Sequence, residues 1–151
     1  MTETKRTDIH RCACTILRQA ARVATQHFDH ALASSGLRIS QLSVLTTLSY
    51  VGPKTINELA DVMVLDRTTL GRNLRPLQRD GYIAIEEGEA DRRTRKLNLT
   101  KKGSAIALRA MDSWGDAQTS FENAIGLENA KTLSKLLRQV VKADYGQEKT
   151  A

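Results

Sequence analysis

The segment DRTTLGRNLRPLQRDGY, residues 66–82, decides the fold of this chain because it encodes a helix with two different sides. Asp66 is a candidate N-cap, since its carboxylate can accept a hydrogen bond from an amide of the first turn. Leucines at i, i+4 and i+7 predict a narrow buried stripe, formed by Leu70, Leu74 and Leu77. At about 100° per residue, the opposite side carries Thr68, Arg72, Arg75 and Arg79.

The end of this predicted helix is set by a proline and a glycine. Pro76 lies well past the first turn, where it removes one hydrogen bond and disfavours helical geometry at Arg75. We therefore expect a kink or an early end, with residues 66–75 as the dependable part of the helix. Gly81 is expected to terminate it, because glycine adopts the left-handed conformation of a C-terminal cap without strain.

Three helices are predicted upstream of this segment. Residues 8–34 place apolar side chains at helical spacing, which predicts an amphipathic helix about 40 Å long. Ser40 is a candidate N-cap for the next helix, which is expected to end at Gly52. Thr55, with Glu58 three residues later, predicts a capping box at the start of a short third helix.

Two strands and two helices are predicted downstream. Residues 83–85 and 97–99 alternate apolar and polar side chains, which predicts two strands, and EEGEADRRT between them predicts a projecting hairpin. A long helix is expected from near Thr100 to Ile125, and Gly126 separates it from the last helix. The apolar side of that last helix consists of Leu133, Leu136, Leu137, Val140 and Val141. The final residues, GQEKTA, are expected to fray.

The positive charge is concentrated in the middle of the chain. Residues 66–102 carry ten Lys/Arg against six Asp/Glu, whereas residues 103–151 carry six of each. A local excess of cations favours a polyanionic partner. Aromatic residues make up only 4% of the chain, which argues against a stacking platform for single-stranded nucleic acid. A helix cannot read the deep, narrow major groove of double-stranded RNA, so duplex DNA is the favoured partner.

The order helix, short helix, arginine-lined helix and basic hairpin predicts a winged helix-turn-helix, in a mainly α fold with a small β-hairpin. A helix that reads the major groove needs short polar or forked side chains on its exposed side. We predict base or phosphate contacts from Arg67, Thr68, Thr69, Arg72, Asn73 and Arg75. Supporting contacts from the preceding helix are predicted for Thr55 and Asn57. The predicted hairpin contacts, to the minor groove or to phosphates, come from Arg92, Arg93, Arg95 and Lys96.

Three segments resemble the MarR (multiple antibiotic resistance regulator) family of transcription factors. They are SGLRISQLSVLTTL at 35–48, LDRTTLGRNLRPLQRDGYI at 65–83 and DRRTRKLNLTKKG at 91–103. The last contains the D-x-R signature as Asp91-Arg92-Arg93 and the L-T-x-x-G signature as Leu99 to Gly103. The similarity extends over about residues 8–145.

The resemblance implies one domain over residues 1–151 in a homodimer on a palindromic operator. Residues 8–34 and 103–145 would form dimerisation helices, and residues 40–102 the winged helix-turn-helix lobe. It further implies that Arg93 enters the minor groove and that Asp91 braces the wing. A repressor released by a small anionic, often aromatic, effector bound between the lobe and the dimerisation helices is expected. Independently, the first and last helices have more apolar surface than a small lobe would bury, which favours a homodimer.

Cys12 and Cys14 leave an alternative open, a thiol-based redox regulator. Two residues apart on a helix, their side chains would diverge by about 200°, which disfavours a disulfide between them. Cys14 occupies the position of the reactive cysteine in the family's organic-hydroperoxide-sensing branch. That branch also uses two tyrosines, and Arg18 and Phe28 replace them here. The other interpretation is that both cysteines serve packing or dimer contact.

Other chemistry is less well supported by the sequence. His27, Asp29 and His30 lie on one helix without a matching cluster elsewhere, so a structural or effector-pocket role is favoured over a metal site. Trp114 and Phe121 are expected to pack in a dimer core. No phosphate loop, nucleophile elbow or metalloprotease motif occurs, so we predict neither an enzyme nor a cofactor, and a cysteine-dependent enzyme is the weakest alternative.

The sequence also predicts where the protein resides. Its first residues, MTETKRTDIHRCACT, lack the apolar stretch of a secretory signal, and no segment reaches the roughly 18 apolar residues of a membrane span. Two cysteines do not make a disulfide framework. We therefore expect a cytoplasmic protein without membrane contact.

Overall fold

The computed structural model describes residues 11–87 and 95–146, which form a mostly helical protein with one small sheet. The six α-helices are α1 (Ala13–Ala31), α2 (Ile39–Val51), α3 (Ile56–Met63), α4 (Arg67–Arg79), α5 (Lys101–Ile125) and α6 (Leu127–Lys142), with a 3-10 turn at Ala33–Ser35. The strands are β1 (Lys54–Thr55), β2 (Ile83–Glu87) and β3 (Arg95–Leu99). The predicted fold class, mainly α with a small β-hairpin, is confirmed.

The sheet is antiparallel, in the order β1-β3-β2. Ile83 lies opposite Leu99, and Lys54 of the additional strand β1 lies opposite Leu97. The two residues of β1 are too few to show an alternating pattern, so this strand was not predicted. It attaches the start of α3 to the centre of the sheet.

The core lies where α2, α3, α4, the sheet and the first half of α5 meet. Its fully buried large side chains include Leu45, Leu59, Leu70 and Leu77. Ile106, Ala107 and Ala110 of α5 belong to the same cluster. The predicted stripe of α4 is therefore confirmed as part of the core.

Two predicted helix starts differ from the structure. α1 begins at Ala13, with Cys12 in an extended conformation before it; residues 8–10 lie outside the described part. Ser40 is not an N-cap, because α2 begins at Ile39. The Arg38 amide donates to the side chain of Gln41 (2.9 Å), and the Ile39 amide donates to Asp29 of α1 (2.7 Å). A tertiary contact thus takes the place of the cap that was assigned to Ser40.

The early end predicted at Pro76 is wrong, because α4 continues to Arg79. Leu77 is 1% exposed, and its burial helps to offset the one hydrogen bond that proline cannot make. Gly81, at φ 74°, closes the helix as predicted. The Tyr82 amide donates to the Leu77 carbonyl (2.8 Å) and the Gly81 amide to the Gln78 carbonyl (3.0 Å), a Schellman motif.

Within the described ranges, no helix combines the length and the hydrophobicity needed to cross a lipid bilayer.

Candidate nucleic-acid interface

Helices α3 and α4 each begin with a cap that the sequence predicted. Thr55 accepts a hydrogen bond from the Glu58 amide (3.2 Å), and the Glu58 carboxylate accepts one from the Thr55 amide (2.8 Å). Asp66 accepts from the Thr69 amide (2.8 Å) at the start of α4. Both cap predictions are confirmed.

The cap hydrogen bonds also lower the pKa of both carboxyl groups. The amide and hydroxyl of Thr55 hold the pKa of Glu58 below its usual value. The hydroxyl and amide of Thr69 do the same for the pKa of Asp66. Negative charge at a helix N-terminus is stabilised by the helix dipole, so both groups favour the folded helix in their ionised form.

The exposed side of α4 carries most of the residues predicted to contact DNA. Leu70, Leu74 and Leu77 turn towards the core, while the exposed residues on the other side are Arg67, Thr68, Thr69, Arg72 and Arg75. Arg72 and Arg75 make no ion pair with another residue that the structure describes, whereas Arg79 is paired with Asp80 (2.8 Å). The guanidinium groups in the first three turns thus remain available to an anionic partner.

Two of the predicted contact residues, Thr55 and Thr69, already make hydrogen bonds within the helix caps. The Thr69 hydroxyl donates to the Asp66 carboxylate (2.6 Å), and the Thr55 hydroxyl is engaged in the capping box. Asn73 is half-buried, while Asn57 of α3 is exposed.

The hairpin is described only at its base. Arg95 and Lys96 are exposed on β3, opposite Glu87 and Glu86 of β2. The predicted residues Asp91, Arg92 and Arg93 lie outside the described part of the chain. The base of the hairpin adjoins α3, because Lys96 is also opposite Thr55 of β1.

A compact junction, formed by residues 80–82 and 100–103, joins the end of α4 to the start of α5. The Thr100 hydroxyl caps α5 by accepting from the Gly103 amide (2.9 Å), and it donates to the Gly81 carbonyl (2.7 Å). Lys102 donates to the Asp80 carbonyl (2.8 Å). The sequence had shown Thr100 to Gly103 only as part of a family signature. The contacts of Lys102 were not predicted, because no local pattern reports a contact 22 residues away.

A second surface, the apolar face of α1, α5 and α6, lies away from α4. It encloses a groove of about 620 Å³, whose lining includes Ile16, Val23, Phe121, Ile125 and Leu133. Val23 is 68% exposed, and Phe121 lies 6.4 Å from Phe28 between ring centroids. Trp114 is absent from the lining of this groove, and it packs against the core of the winged-helix lobe.

Two cavities lie between α2 and α5, with volumes of about 330 and 280 Å³. They share Thr46 and Met111 in their walls. The larger also presents hydroxyl groups from Ser49, Tyr50 and Ser104. The described residues that line the two cavities include no lysine, arginine or histidine, so their polar side-chain groups are hydroxyls and the indole N–H of Trp114.

The histidine and aspartate of α1 connect helices. His27 donates through Nε2 to the Ala117 carbonyl of α5 (2.9 Å). Asp29 accepts a hydrogen bond from the Ile39 amide, and its carboxylate lies 3.8 Å from the Arg38 guanidinium. These contacts fit the structural role favoured over a metal site.

The two cysteines lie at the start of α1. Cys12 is half-buried and Cys14 exposed, and both thiols are free. Because Cys12 precedes the helix, the 200° separation expected for two helical residues does not apply. The Thr15 amide, followed by the Thr15 side chain, lowers the pKa of the Cys12 thiol.

Capped α3 and α4, with a small sheet beside them, define a winged helix-turn-helix DNA-binding protein. The family model described as MarR family matches residues 35–94. An HTH-type transcriptional regulator of Bacillus subtilis (strain 168) is 31% identical over 86 residues, which cover 57% of this chain and 62% of that relative. One of Bacillus anthracis is 30% identical over 107 residues, covering 70% of this chain and 71% of that relative.

Solved structures agree with these relatives. The M. tuberculosis transcriptional regulator MosR, in complex with DNA, aligns with a TM-score of 0.74 at 34% identity, over 87% of this chain and 98% of MosR. This chain belongs to the MarR family of DNA-binding transcriptional regulators. These relatives are regulators and not enzymes, which confirms the prediction that this chain is not an enzyme.

Proposed function

We propose that this protein is a homodimeric repressor that binds a palindromic operator through α4. The observation that carries the proposal is the cationic side of α4, held outward by three buried leucines. On this side, Arg72 and Arg75 form no ion pair with any residue that the structure describes, whereas Arg79 is paired with Asp80. The positive charges face the solvent at the first three turns of a capped helix, which fits the major groove. In a two-fold dimer, the two copies of α4 meet half-sites about 34–36 Å apart.

Each residue group has a separate role in the proposed complex. Arg72 makes a forked contact with guanine, flanked by Arg67, Thr68, Arg75 and the half-buried Asn73. Thr55 and Asn57 contact phosphates at the start of α3, and Thr69 does so when its hydroxyl turns from Asp66 to the DNA. The wing residues Asp91, Arg92, Arg93, Arg95 and Lys96 grip the adjacent minor groove or backbone, with Arg93 inserted and Asp91 bracing it.

The apolar face of α1, α5 and α6 supports the homodimer. Its large side chains remain exposed in the single chain, among them Leu136 at 52% and Val141 at 63%. Exposed apolar surface of this extent is typical of an interface, and a second copy supplies the same self-complementary face. Residues 8–34 and 103–145 are thereby assigned to dimerisation.

The cavities between α2 and α5 support release by a small effector. They separate the winged-helix lobe from the long helix that leads to the proposed dimer face. A lining of hydroxyl, indole and apolar groups without cations favours an uncharged aromatic molecule with hydrogen-bonding groups over a carboxylate. Of the anionic or aromatic effectors that the family resemblance implies, we therefore expect an uncharged aromatic one.

The DNA contacts are tested with a duplex that the purified protein selects from a random-sequence pool. Arg72→Ala should weaken binding by about 1–3 kcal/mol and relax the preference at one base position. Arg93→Ala should weaken binding to the selected and the shuffled duplex alike. It should also lower the slope of log affinity against log salt concentration by about 0.9 for each lost phosphate contact. Arg79→Ala is the matched control, because it removes an arginine of the same helix that is already paired with Asp80. If Arg72→Ala and Arg79→Ala have equal effects, the proposed reading helix is wrong.

A further inference from the structure

We propose that Lys102 is a positioning residue for DNA binding, which fixes the end of α4 against the first turn of α5 and does not contact phosphate. The inference rests on the proposed function, because α4 must be the helix that reads DNA. By location alone, an exposed lysine beside a basic hairpin would be assigned to the DNA backbone. The contacts of Lys102 instead indicate that it positions the end of α4.

The ammonium group of Lys102 is already engaged at the junction. Its Nζ lies 2.8 Å from the carbonyl oxygen of Asp80, the residue that caps α4, and 5.2 Å from the centroid of the Tyr82 ring. The last carbonyls of a helix have no partner within the helix, and they carry the negative end of its dipole. Lys102 therefore supplies a charge-assisted cap to α4 from a different helix.

The rest of the junction makes this cap rigid. The Thr100 amide donates to the Tyr82 carbonyl (3.1 Å), and the Thr100 hydroxyl, which donates to the Gly81 carbonyl, lies 3.1 Å from the same Tyr82 oxygen. Gly103 lies so close that a Cβ would overlap this carbonyl oxygen. Because α5 approaches the end of α4 this closely, Lys102 sits one residue from the contact and needs no large rearrangement to reach Asp80.

Phosphate contact and positioning make opposite predictions about the DNA-free protein. A lysine that only binds phosphate leaves the end of α4 unchanged when it is removed. A lysine that caps α4 holds the amides of Asp80, Gly81 and Tyr82 in their hydrogen bonds to the preceding turn. Hydrogen exchange of residues 80–82 reports this directly, without DNA.

The variants are Lys102→Met, its conservative counterpart Lys102→Arg, and Lys101→Met as a control that removes the neighbouring exposed lysine. Lys102→Met should accelerate exchange at residues 80–82 by about threefold to tenfold, as expected for one lost hydrogen bond to a charged group. Lys102→Arg should restore slow exchange, and Lys101→Met should leave it unchanged.

The same variants are then titrated with the selected duplex and with a shuffled one. Lys102→Met should lower the affinity for the selected duplex about threefold to tenfold with an unchanged salt slope. It should leave the affinity for the shuffled duplex unchanged. Equal losses on both duplexes with a reduced slope would establish a phosphate contact and overturn the inference. Unchanged exchange, or faster exchange without loss of selected binding, would overturn it as well. If the wild-type protein selects no duplex at all, the proposed function fails instead, whatever the exchange shows.

Discussion

Val64, in the turn between α3 and α4, adopts a backbone conformation that is rare for its residue type. Its φ of 54° and ψ of 46° are left-handed, and it is the one described residue other than glycine with a positive φ. The turn requires this geometry, because the Val64 and Leu65 amides bond back to Asp61 and Ala60 (3.2 and 2.9 Å). A β-branched side chain is strained there.

Replacing Val64 by asparagine should therefore stabilise the protein. Asparagine tolerates the left-handed region, and Val64 is 69% exposed, so little packing is lost. We expect a gain of about 0.5–1 kcal/mol in the free energy of unfolding, measured by urea denaturation. Val62→Asn, in the last turn of α3, is the control and should not stabilise. A loss of stability in Val64→Asn would show that the turn is not strained.

Local polar chemistry was predictable residue by residue, whereas contacts from distant residues were not. Thr55, Glu58 and Asp66 were recognised because a cap needs only a side chain and an amide three residues away. The prediction of Ser40 as an N-cap was wrong because Asp29, on another helix, accepts the hydrogen bond from the Ile39 amide at the start of α2. The sequence did not predict the left-handed conformation of Val64, because valine disfavours the backbone geometry that the turn imposes.

At the scale of elements, the start of α4 depends on the ionisation of Asp66. Its pKa is lowered in the folded protein, so its contribution to stability is present above its unfolded-state value and is lost as the pH falls through its folded-state value. The difference in melting temperature between wild type and Asp66→Asn should thus be largest at neutral pH and shrink in acid. Glu58, present in both proteins, cancels in this difference. A difference independent of pH would contradict the charge-dependent cap.

Helix α5 contains two glycines that should respond to alanine in opposite ways. Gly103→Ala places a Cβ against the Tyr82 carbonyl and 2.9 Å from a Leu99 methyl, and it should destabilise by about 1–3 kcal/mol despite better helix propensity. Gly115→Ala meets no atom within 4 Å, and it should stabilise by about 0.5–1 kcal/mol. Thermal unfolding of the two variants checks both signs. If Gly103→Ala matched Gly115→Ala, the close approach at the junction would be wrong.

Elements with strong periodicity were predictable, and the exceptions have physical causes. The early end predicted at Pro76 was wrong because a local proline penalty does not report the tertiary burial of Leu77, which favours continuing the helix. Strand β1 has too few residues to form a pattern. It exists because β3 offers it an unpaired edge.

At the scale of the whole molecule, the proposed dimer depends on apolar residues that the single chain leaves exposed. Val23→Glu places a charge in the groove of α1, α5 and α6 without disturbing a buried site, so it should convert the dimer to a monomer and abolish tight operator binding. Thr25→Glu adds the same charge about 200° around α1 and should remain dimeric. Analytical ultracentrifugation measures both. A monomeric wild type, or a dimeric Val23→Glu, would contradict the proposed interface.

The arrangement of the site was predictable in part. The arginines of α4 and the leucines behind them follow from spacing alone. The expected effector followed from the family resemblance, and the expected dimer followed from that resemblance and from the apolar surface of the first and last helices. Periodicity shows that a helix side is buried without showing what buries it, so the packing of Trp114 against the core of the winged-helix lobe was not predicted. The junction between α4 and α5 was missed for the related reason that it joins residues far apart in sequence.

Helix α5 is continuous over 25 residues, from the junction at the end of α4 to the proposed dimer face. It is therefore a lever about 37 Å long, and a tilt of only about 5° at one end displaces the other by about 3 Å. A hydrogen bond to a base edge does not survive such a displacement. An effector that widens the space between α2 and α5 by the width of a single atom would thus shift the two copies of α4 in the proposed dimer. Their spacing would then no longer match the helical repeat of DNA.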